Sequence, residues 1–202
     1  FDEMVRKGNF SNAINLPMNN NFELANKNIL IVGFGRIGKK LIKKCLGFDL
    51  KVFIYDPYVD EEIISSYGGS KVFKLEDGLK NTDILSLSLP YNSETYNLIG
   101  LKEMKMMKKN SIIINVSRGG IINELDLDKA LKENIISFAG IDVFEKEPPE
   151  ANNPLLNNKK VFLSPHAATF TKECLENMSL ETVQNIIDFF ENKIDNTKLV
   201  KL

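Results

Sequence analysis

The sequence predicts an α/β fold with a doubly wound parallel sheet, and three observations lead to this prediction. Apolar runs of strand length alternate with longer segments of helical periodicity. Several runs, such as Ile112 to Val116, have apolar residues on both faces, as strands covered by helices on both sides must. A glycine-rich turn, GFGRIG at 33–38, joins the first run to the first long helical segment. Alternating strands and helices with short connections form parallel sheets.

The expected elements follow in a regular order. Residues 1–27 predict a short helix, Asp2 to Lys7, and an asparagine-rich connector. Strands are expected at 28–33, 51–55, 83–89, 111–116, 136–142 and 160–163. Helices are expected at 36–46, 60–67, 101–108, 123–133 and about 171–192. Asn123 is expected to cap its helix, and the proline-rich segment 145–154 is expected to be a rigid polar loop.

The glycine turn has the arrangement of a dinucleotide-binding βαβ unit. Gly33 permits the tight turn, Gly35 lets the backbone approach a pyrophosphate, and Gly38 lets the helix lie close to the strand. The N-terminus of that helix offers N–H groups and a positive dipole end to phosphates. An ordinary turn is the alternative, which the acid at the end of the next strand disfavours.

That acid, Asp56, indicates which dinucleotide is bound. It directly follows the second strand run, where a carboxylate can accept hydrogen bonds from both hydroxyls of an adenosine ribose. The same carboxylate would repel a 2′-phosphate, and no arginine follows it to bind one. The sequence therefore predicts NAD rather than NADP as cofactor.

Composition disfavours several classes of partner. The 202 residues have a net charge of −1 with interspersed signs, which gives no reason to expect nucleic acid or an anionic membrane. No apolar run reaches the length of a membrane span, and no signal peptide is visible. Cys45 and Cys174 are expected as free thiols in a reducing, cytoplasmic compartment. With one histidine, no metal site is expected.

Polar clusters follow three of the later strand runs, where a doubly wound sheet places its ligands. Ser117 and Arg118 follow the fourth run. Asp142 and Glu147 follow the fifth, and His166 follows the sixth. A bidentate cation, two acids and an imidazole are therefore expected at one edge of the sheet.

Together these motifs resemble the D-isomer-specific 2-hydroxyacid dehydrogenases over roughly residues 22–200. Besides the glycine turn, the resembling segments are DILSLSLP at 83–90, NVSRGG at 115–120, GIDVFEKEP at 140–148 and SPH at 164–166. The resemblance implies a Rossmann domain that binds NAD. It also implies hydride transfer between nicotinamide and C2 of a D-2-hydroxy acid of the phosphoglycerate, glycerate/hydroxypyruvate or lactate type.

The resemblance implies a role for each matched side chain. Arg118 would bind the carboxylate and keto oxygen of a 2-oxo acid, which suits its planar guanidinium. His166 would be the general acid in reduction and the general base in oxidation. Glu147 would accept the imidazole N–H and raise the pKa of His166, with Glu145 open as the alternative. Asp142 would hold the nicotinamide carboxamide.

The resemblance also implies a set of cofactor-binding residues. Besides Arg118 and His166, this set comprises Gly33, Gly35, Arg36, Ile37, Gly38, Asp56, Leu89, Pro90, Thr95, Val116, Ser117, Asp142 and Ala168. Arg36 and Ile37 would contact the pyrophosphate through their backbone amides. Leu89 departs from the family, because many members have a small polar residue there.

The resemblance sets expected domain boundaries and leaves two alternatives. Residues 1–27 would be a remnant of a second, substrate-binding domain, 28–169 the NAD-binding domain, and 170–202 a helix and tail returning toward the second domain. The substrate domain would thus be largely missing from this chain, leaving it inactive alone, and the intact enzyme is expected to be a homodimer. The alternatives are a non-catalytic NAD-sensing module resembling corepressors, and another NAD enzyme such as formate dehydrogenase.

Overall fold

The computed structural model describes residues 2–11, 22–195 and 199. These residues divide into two units, Phe1–Leu163 and Ser164–Leu202. The predicted first helix is present as α1, Asp2–Arg6. The predicted asparagine-rich connector falls on 12–21, outside the described residues, as do 196–198 and 200–202 of the predicted tail.

The first unit is built on a sheet of seven parallel strands in the order β3-β2-β1-β4-β5-β6-β7. The strands are β1 Asn28–Val32, β2 Lys51–Tyr55, β3 Ser70–Lys71, β4 Ile84–Leu87, β5 Ile112–Asn115, β6 Phe138–Ile141 and β7 Val161–Leu163. The helices are α2 Arg36–Leu46, α3 Glu61–Ser66, α4 Leu75–Lys80, α5 Leu101–Met106 and α6 Glu124–Lys132. A 3₁₀ turn covers Pro154–Asn157.

Helices cover the sheet from both sides, which confirms the predicted fold class. Ile29 and Ile31 of β1 point to a core shared with α2 and α3. Leu30 and Val32, on the opposite face of the strand, join a larger core with α4, α5 and α6. Successive side chains of a strand point to opposite faces, so a strand buried on both sides is apolar throughout.

Two short elements, β3 and α4, were not predicted from the sequence. β3 has two residues and pairs only with β2 at the sheet edge. α4 has six residues, of which Leu75 and Leu79 are buried, so it has too few positions to show a helical period. A side chain at Gly78 would lie 2.9 Å from Leu30, which explains how closely α4 packs on the sheet.

Local chemistry fixes the boundaries of several predicted elements. The Asn123 side chain accepts a hydrogen bond from the Asp126 N–H at 3.0 Å, as expected for the cap of α6. In the second unit, Thr171 accepts from the Cys174 N–H at 3.1 Å at the start of α7, Lys172–Phe190. Strand β4 ends at Leu87, shorter than the predicted 83–89, although the Ser88 N–H still donates to the Val32 carbonyl oxygen at 2.8 Å.

Candidate functional site

Two adjoining cavities lie at the carboxyl ends of the central strands. The first has a volume of about 310 Å³ and is lined by the segments that follow β1, β2 and β4. The second, of about 360 Å³, is lined by the segments that follow β1, β4 and β5. Both include Gly35 and the stretch 88–90, so they form one continuous groove. The groove lies between β1 and β4, where the strand order reverses direction and doubly wound sheets bind ligands.

The glycine turn has the shape that its sequence predicts. Gly33 has φ +95°, and a Cβ there would lie 2.4 Å from the Ser88 carbonyl oxygen. A Cβ on Gly38 would lie 2.4 Å from the Gly33 carbonyl oxygen, so only glycine lets α2 approach the turn this closely. Gly35 differs, because a Cβ there would meet nothing within 4 Å. Its Cα faces the groove, and an added side chain would project into space that a ligand can use.

The N-terminus of α2 also faces the groove. Arg36 and Ile37 line the second cavity. Within this described segment no side chain caps the helix, and its first turn contains no acidic residue. The N–H groups and the positive dipole end of this eleven-residue helix therefore suit an anionic group such as a phosphate.

Asp56 is held against the glycine turn by its own carboxylate. Its Oδ2 accepts a hydrogen bond from the Phe34 N–H at 2.7 Å, and its Oδ1 accepts from the Tyr58 N–H at 2.9 Å. Each carboxylate oxygen has a second lone pair for a further donor. Asp56 lines the first cavity, where ribose hydroxyls could provide such donors.

The loop that carries Arg118 is shaped by Asn115, which opens the NVSRGG motif but for which the sequence predicted no role of its own. This buried side chain ends β5, and its Oδ1 accepts from the N–H and the hydroxyl of Ser117 at 3.0 and 2.7 Å. Its Nδ2 donates to the Arg118 carbonyl oxygen at 2.9 Å. The Arg118 side chain is exposed and lines the second cavity, with Nη1 donating to the Ser117 carbonyl oxygen at 2.6 Å. A polar residue ending an apolar strand was the available sequence signal.

The arginine loop packs directly on the loop after β6. A Cβ on Gly119 would lie 1.8 Å from the Phe144 carbonyl oxygen and 2.5 Å from the Glu145 nitrogen. Asp142, only 2 % exposed, donates its backbone N–H to the Asn115 carbonyl oxygen at 3.0 Å. The two loops therefore share one backbone-to-backbone interface.

Replacing Gly119 with alanine is expected to lower the free energy of unfolding by about 2–3 kcal/mol, because the added methyl group overlaps the Phe144–Glu145 peptide. Chemical denaturation monitored by circular dichroism measures this change. Gly35→Ala is the matched control, since a methyl group there meets no protein atom within 4 Å. Equal stability of the two variants would contradict this description of the loop interface.

Two acids follow β6, and their surroundings differ. Glu147 Oε1 accepts from the Phe144 N–H at 3.0 Å, so this carboxylate lies against the backbone of its own turn. The Glu145 carboxylate accepts from the Tyr96 hydroxyl at 3.4 Å, and the Glu145 N–H donates to Glu124 at 2.7 Å. Glu145 is thus linked to the loops that carry Tyr96 and Glu124.

Most of the predicted cofactor-binding residues line the groove. These are Gly33, Gly35, Arg36, Ile37, Asp56, Leu89, Pro90, Thr95, Val116, Ser117 and Arg118. Gly38 lies behind the turn against Gly33. His166 and Ala168 follow β7 in the second unit, and their roles stay predictions.

Two further groove residues were not anticipated, Tyr58 and Glu94. The Tyr58 hydroxyl donates to Glu94 Oε2 at 2.9 Å, and both side chains line the first cavity. This hydrogen bond raises the pKa of Tyr58 above its ordinary value, so the phenol is a neutral donor at physiological pH. The two residues lie in loops after different strands, so the sequence alone gave no sign of their contact.

Two other kinds of feature are absent from the part of the chain that the structure describes. In the described ranges, no group of three or more His, Cys, Asp or Glu side chains could hold a metal ion. None of the described helices has the length and apolar composition needed to cross a membrane.

A parallel sheet with a glycine turn at its switch point and an acid after the second strand defines a dinucleotide-binding Rossmann domain. Residues 1–168 match the model of one family, described as "D-isomer specific 2-hydroxyacid dehydrogenase, NAD binding domain". The chain belongs to this family, and it contains the family's NAD-binding domain.

Curated and solved relatives agree with this assignment. A glyoxylate reductase from Thermococcus litoralis is 42% identical over 177 residues, which cover 86% of this chain and 52% of that protein. A D-3-phosphoglycerate dehydrogenase from Methanocaldococcus jannaschii is 40% identical over 151 residues, covering 75% of this chain and 29% of that protein. The apo structure of Rhodotorula graminis D-mandelate dehydrogenase superposes with a TM-score of 0.82 at 30% identity. The superposition covers 93% of this chain and 56% of that chain. The chain spans about half the length of the glyoxylate reductases it matches.

Proposed function

We propose that this chain is the cofactor-binding part of an NAD-dependent enzyme that interconverts a D-2-hydroxy acid and its 2-oxo acid. The observation that supports this most directly is the position of Arg118. Its exposed guanidinium lines the same groove as the glycine turn, on a loop held by Asn115. A bidentate cation beside a dinucleotide site suits a small planar carboxylic acid.

The residues of the groove fit NAD. The turn at Gly33 and Gly35 leaves room for a pyrophosphate, and the N-terminus of α2 supplies N–H donors. Asp56 would accept hydrogen bonds from the adenosine ribose, and Asp142 at the end of β6 would hold the carboxamide. When bound, this cofactor supplies or accepts the hydride.

Replacing Asp56 with alanine is expected to raise the dissociation constant for NADH about ten- to hundred-fold, because hydrogen bonds to a charged acceptor are lost. NADH fluorescence titration or calorimetry with the 202-residue chain measures the change. The matched control is Asp60→Ala, since Asp60 is exposed in the same loop and its side chain makes no capping bond to α3. Equal affinity of both variants would contradict the ribose-binding role.

The proton chemistry is assigned to His166. In reduction, its imidazolium would donate a proton to the oxygen on C2 while C2 accepts the hydride, which gives the hydroxy acid and a neutral imidazole. In oxidation, the neutral imidazole would take that proton back. Glu147 would act as a positioning residue that stabilises the imidazolium, and the engagement of Glu145 with Tyr96 supports this choice between the two acids.

Arg118 would fix the substrate for this exchange. Two parallel N–H donors can bind the carboxylate and the adjacent keto oxygen of a 2-oxo acid. The names of the relatives favour glyoxylate and 3-phosphohydroxypyruvate, the 2-oxo acid of 3-phosphoglycerate, as candidates. The family resemblance adds hydroxypyruvate and pyruvate. We also propose a cytoplasmic homodimer in which a second domain completes the substrate site.

The test is an NADH-oxidation assay with these four 2-oxo acids. Because the chain spans about half of its curated relatives, the assay should use a protein of the relatives' length that contains these 202 residues. Turnover with at least one acid, lost in His166→Ala, is the expected result. NADH binding without turnover of any 2-oxo acid would favour the non-catalytic NAD-sensing module instead.

A further inference from the structure

A hydrogen bond joins the two loops on either side of the glycine turn. Tyr58 lies in the loop after β2 and Glu94 in the loop after β4, and these two strands flank β1 on opposite sides. The 2.9 Å bond from the Tyr58 hydroxyl to Glu94 Oε2 therefore spans the carboxyl end of β1. Because both side chains line the first cavity together with Asp56, this bond forms part of the cavity wall.

Hydrogen bonds within each loop order the backbone near Tyr58 and Glu94. The Asn92 side chain accepts from the N–H groups of Glu94 and Thr95 at 2.9 and 3.0 Å, and Thr95 Oγ1 donates to the Pro90 carbonyl oxygen at 2.8 Å. On the other side, the Tyr58 N–H donates to Asp56 Oδ1 at 2.9 Å. Tyr58 is 81 % exposed, and its described contacts are this backbone bond and the bond to Glu94.

The charges around this cavity have one sign. Two carboxylates, Asp56 and Glu94, line it, and among the described lining residues there is no lysine, arginine or histidine. Tyr58 adds only a neutral donor, because its bond to Glu94 raises its pKa. A phosphate on the ribose that Asp56 would bind would enter a cavity with two negative groups and, among its described lining residues, no cation.

We propose that Glu94, held in place by Tyr58, is a second determinant of cofactor choice, and that it acts with Asp56 to disfavour nucleotides carrying a 2′-phosphate. The proposal rests on the NAD site described above and assigns a role to a residue outside its glycine turn and ribose acid. Asp56 would meet a 2′-phosphate directly at the ribose, whereas Glu94 would repel the phosphate through its charge from across the cavity. The effect of Glu94 must therefore weaken with added salt.

The experiment compares dissociation constants for NADH and NADPH, measured by cofactor fluorescence with the 202-residue chain at low and high salt. Glu94→Gln removes the charge and keeps the size. At low salt it is expected to lower the ratio of the NADPH dissociation constant to the NADH dissociation constant about three- to ten-fold, mainly because NADPH binds more tightly. At high salt the change in this ratio is expected to be much smaller. Tyr58→Phe keeps the aromatic ring and leaves the charge of Glu94 in place. It is therefore expected to lower the NADPH-to-NADH ratio of dissociation constants by a smaller factor than Glu94→Gln.

The matched control is Glu62→Gln, which makes the same change of net charge on the exposed side of α3. Two results would overturn the proposal: the same NADPH-to-NADH ratio of dissociation constants in Glu94→Gln as in this control, or an equal loss of affinity for both cofactors. Glu94 would then only line the cavity, without affecting cofactor choice. Failure of the unaltered chain to bind NADH would overturn the cofactor site itself. The two failures are therefore distinguishable.

Discussion

Arg118→Ala is expected to lower kcat/KM for the best 2-oxo acid about 10³-fold, because a charge-assisted bidentate contact is lost and the substrate carboxylate is left without its cation. Arg118→Lys keeps the charge and loses the planar fork, so a smaller loss is expected. The affinity for NADH is expected to fall less than kcat/KM in either variant, because the guanidinium would bind the substrate carboxylate as well as line the cofactor groove. Steady-state kinetics and NADH titration measure the two effects separately.

A control for Arg118 is available in the same chain. Arg6 is exposed, and its guanidinium pairs only with its helical neighbour Asp2 among the contacts described for it, so Arg6→Ala should leave kcat/KM unchanged. If Arg118→Ala kept kcat/KM within about ten-fold of the unaltered enzyme, the loss would amount to no more than one ordinary hydrogen bond. That result would remove Arg118 from the substrate site.

His166→Gln is expected to lower kcat about 10²- to 10⁴-fold, the usual contribution of a positioned general acid–base. The pH profile gives a second readout. Reduction needs the imidazolium, so its rate is expected to fall at higher pH, whereas oxidation needs the neutral ring, so its rate is expected to fall at lower pH. This dependence should be absent in the variant. A variant with the kcat and pH profile of the unaltered enzyme would contradict the assignment.

The same pH profile separates Glu147 from Glu145. An anionic partner stabilises the imidazolium, so Glu147→Gln is expected to move the pH profile of reduction to lower pH. Glu145→Gln is the matched control, because Glu145 instead accepts from the Tyr96 hydroxyl. A shift in Glu145→Gln alone would reverse the choice between the two acids.

Several features of this site could be predicted because short segments determine them. The turn at 33–38 needs glycines at fixed spacing, and its geometry follows from backbone sterics within a few residues. The cap at Asn123 is a contact between residues three apart. The strands β1, β4 and β5 are apolar on both faces, which indicates burial in a parallel sheet wherever they lie.

Other features depend on residues that are distant in sequence. β3 and α4 are too short to show a period, and their conformations depend on packing against β2 and Leu30. Asn115 was read as part of an apolar strand, although its hydrogen bonds shape the loop of Arg118. The contact of Gly119 with the Phe144–Glu145 peptide joins two loops that follow different strands.

The order of the elements other than β3 and α4, the dinucleotide turn and the family were determined by the sequence alone, because periodicity and local motifs act over a few residues at a time. Only the tertiary structure decided which loops meet above the strands. The pairing of Tyr58 with Glu94 and the packing of the arginine loop on the acid loop both arise this way. The physical reason is that parallel strands bring the ends of distant segments to one edge of the sheet, and side-chain geometry then selects the contacts.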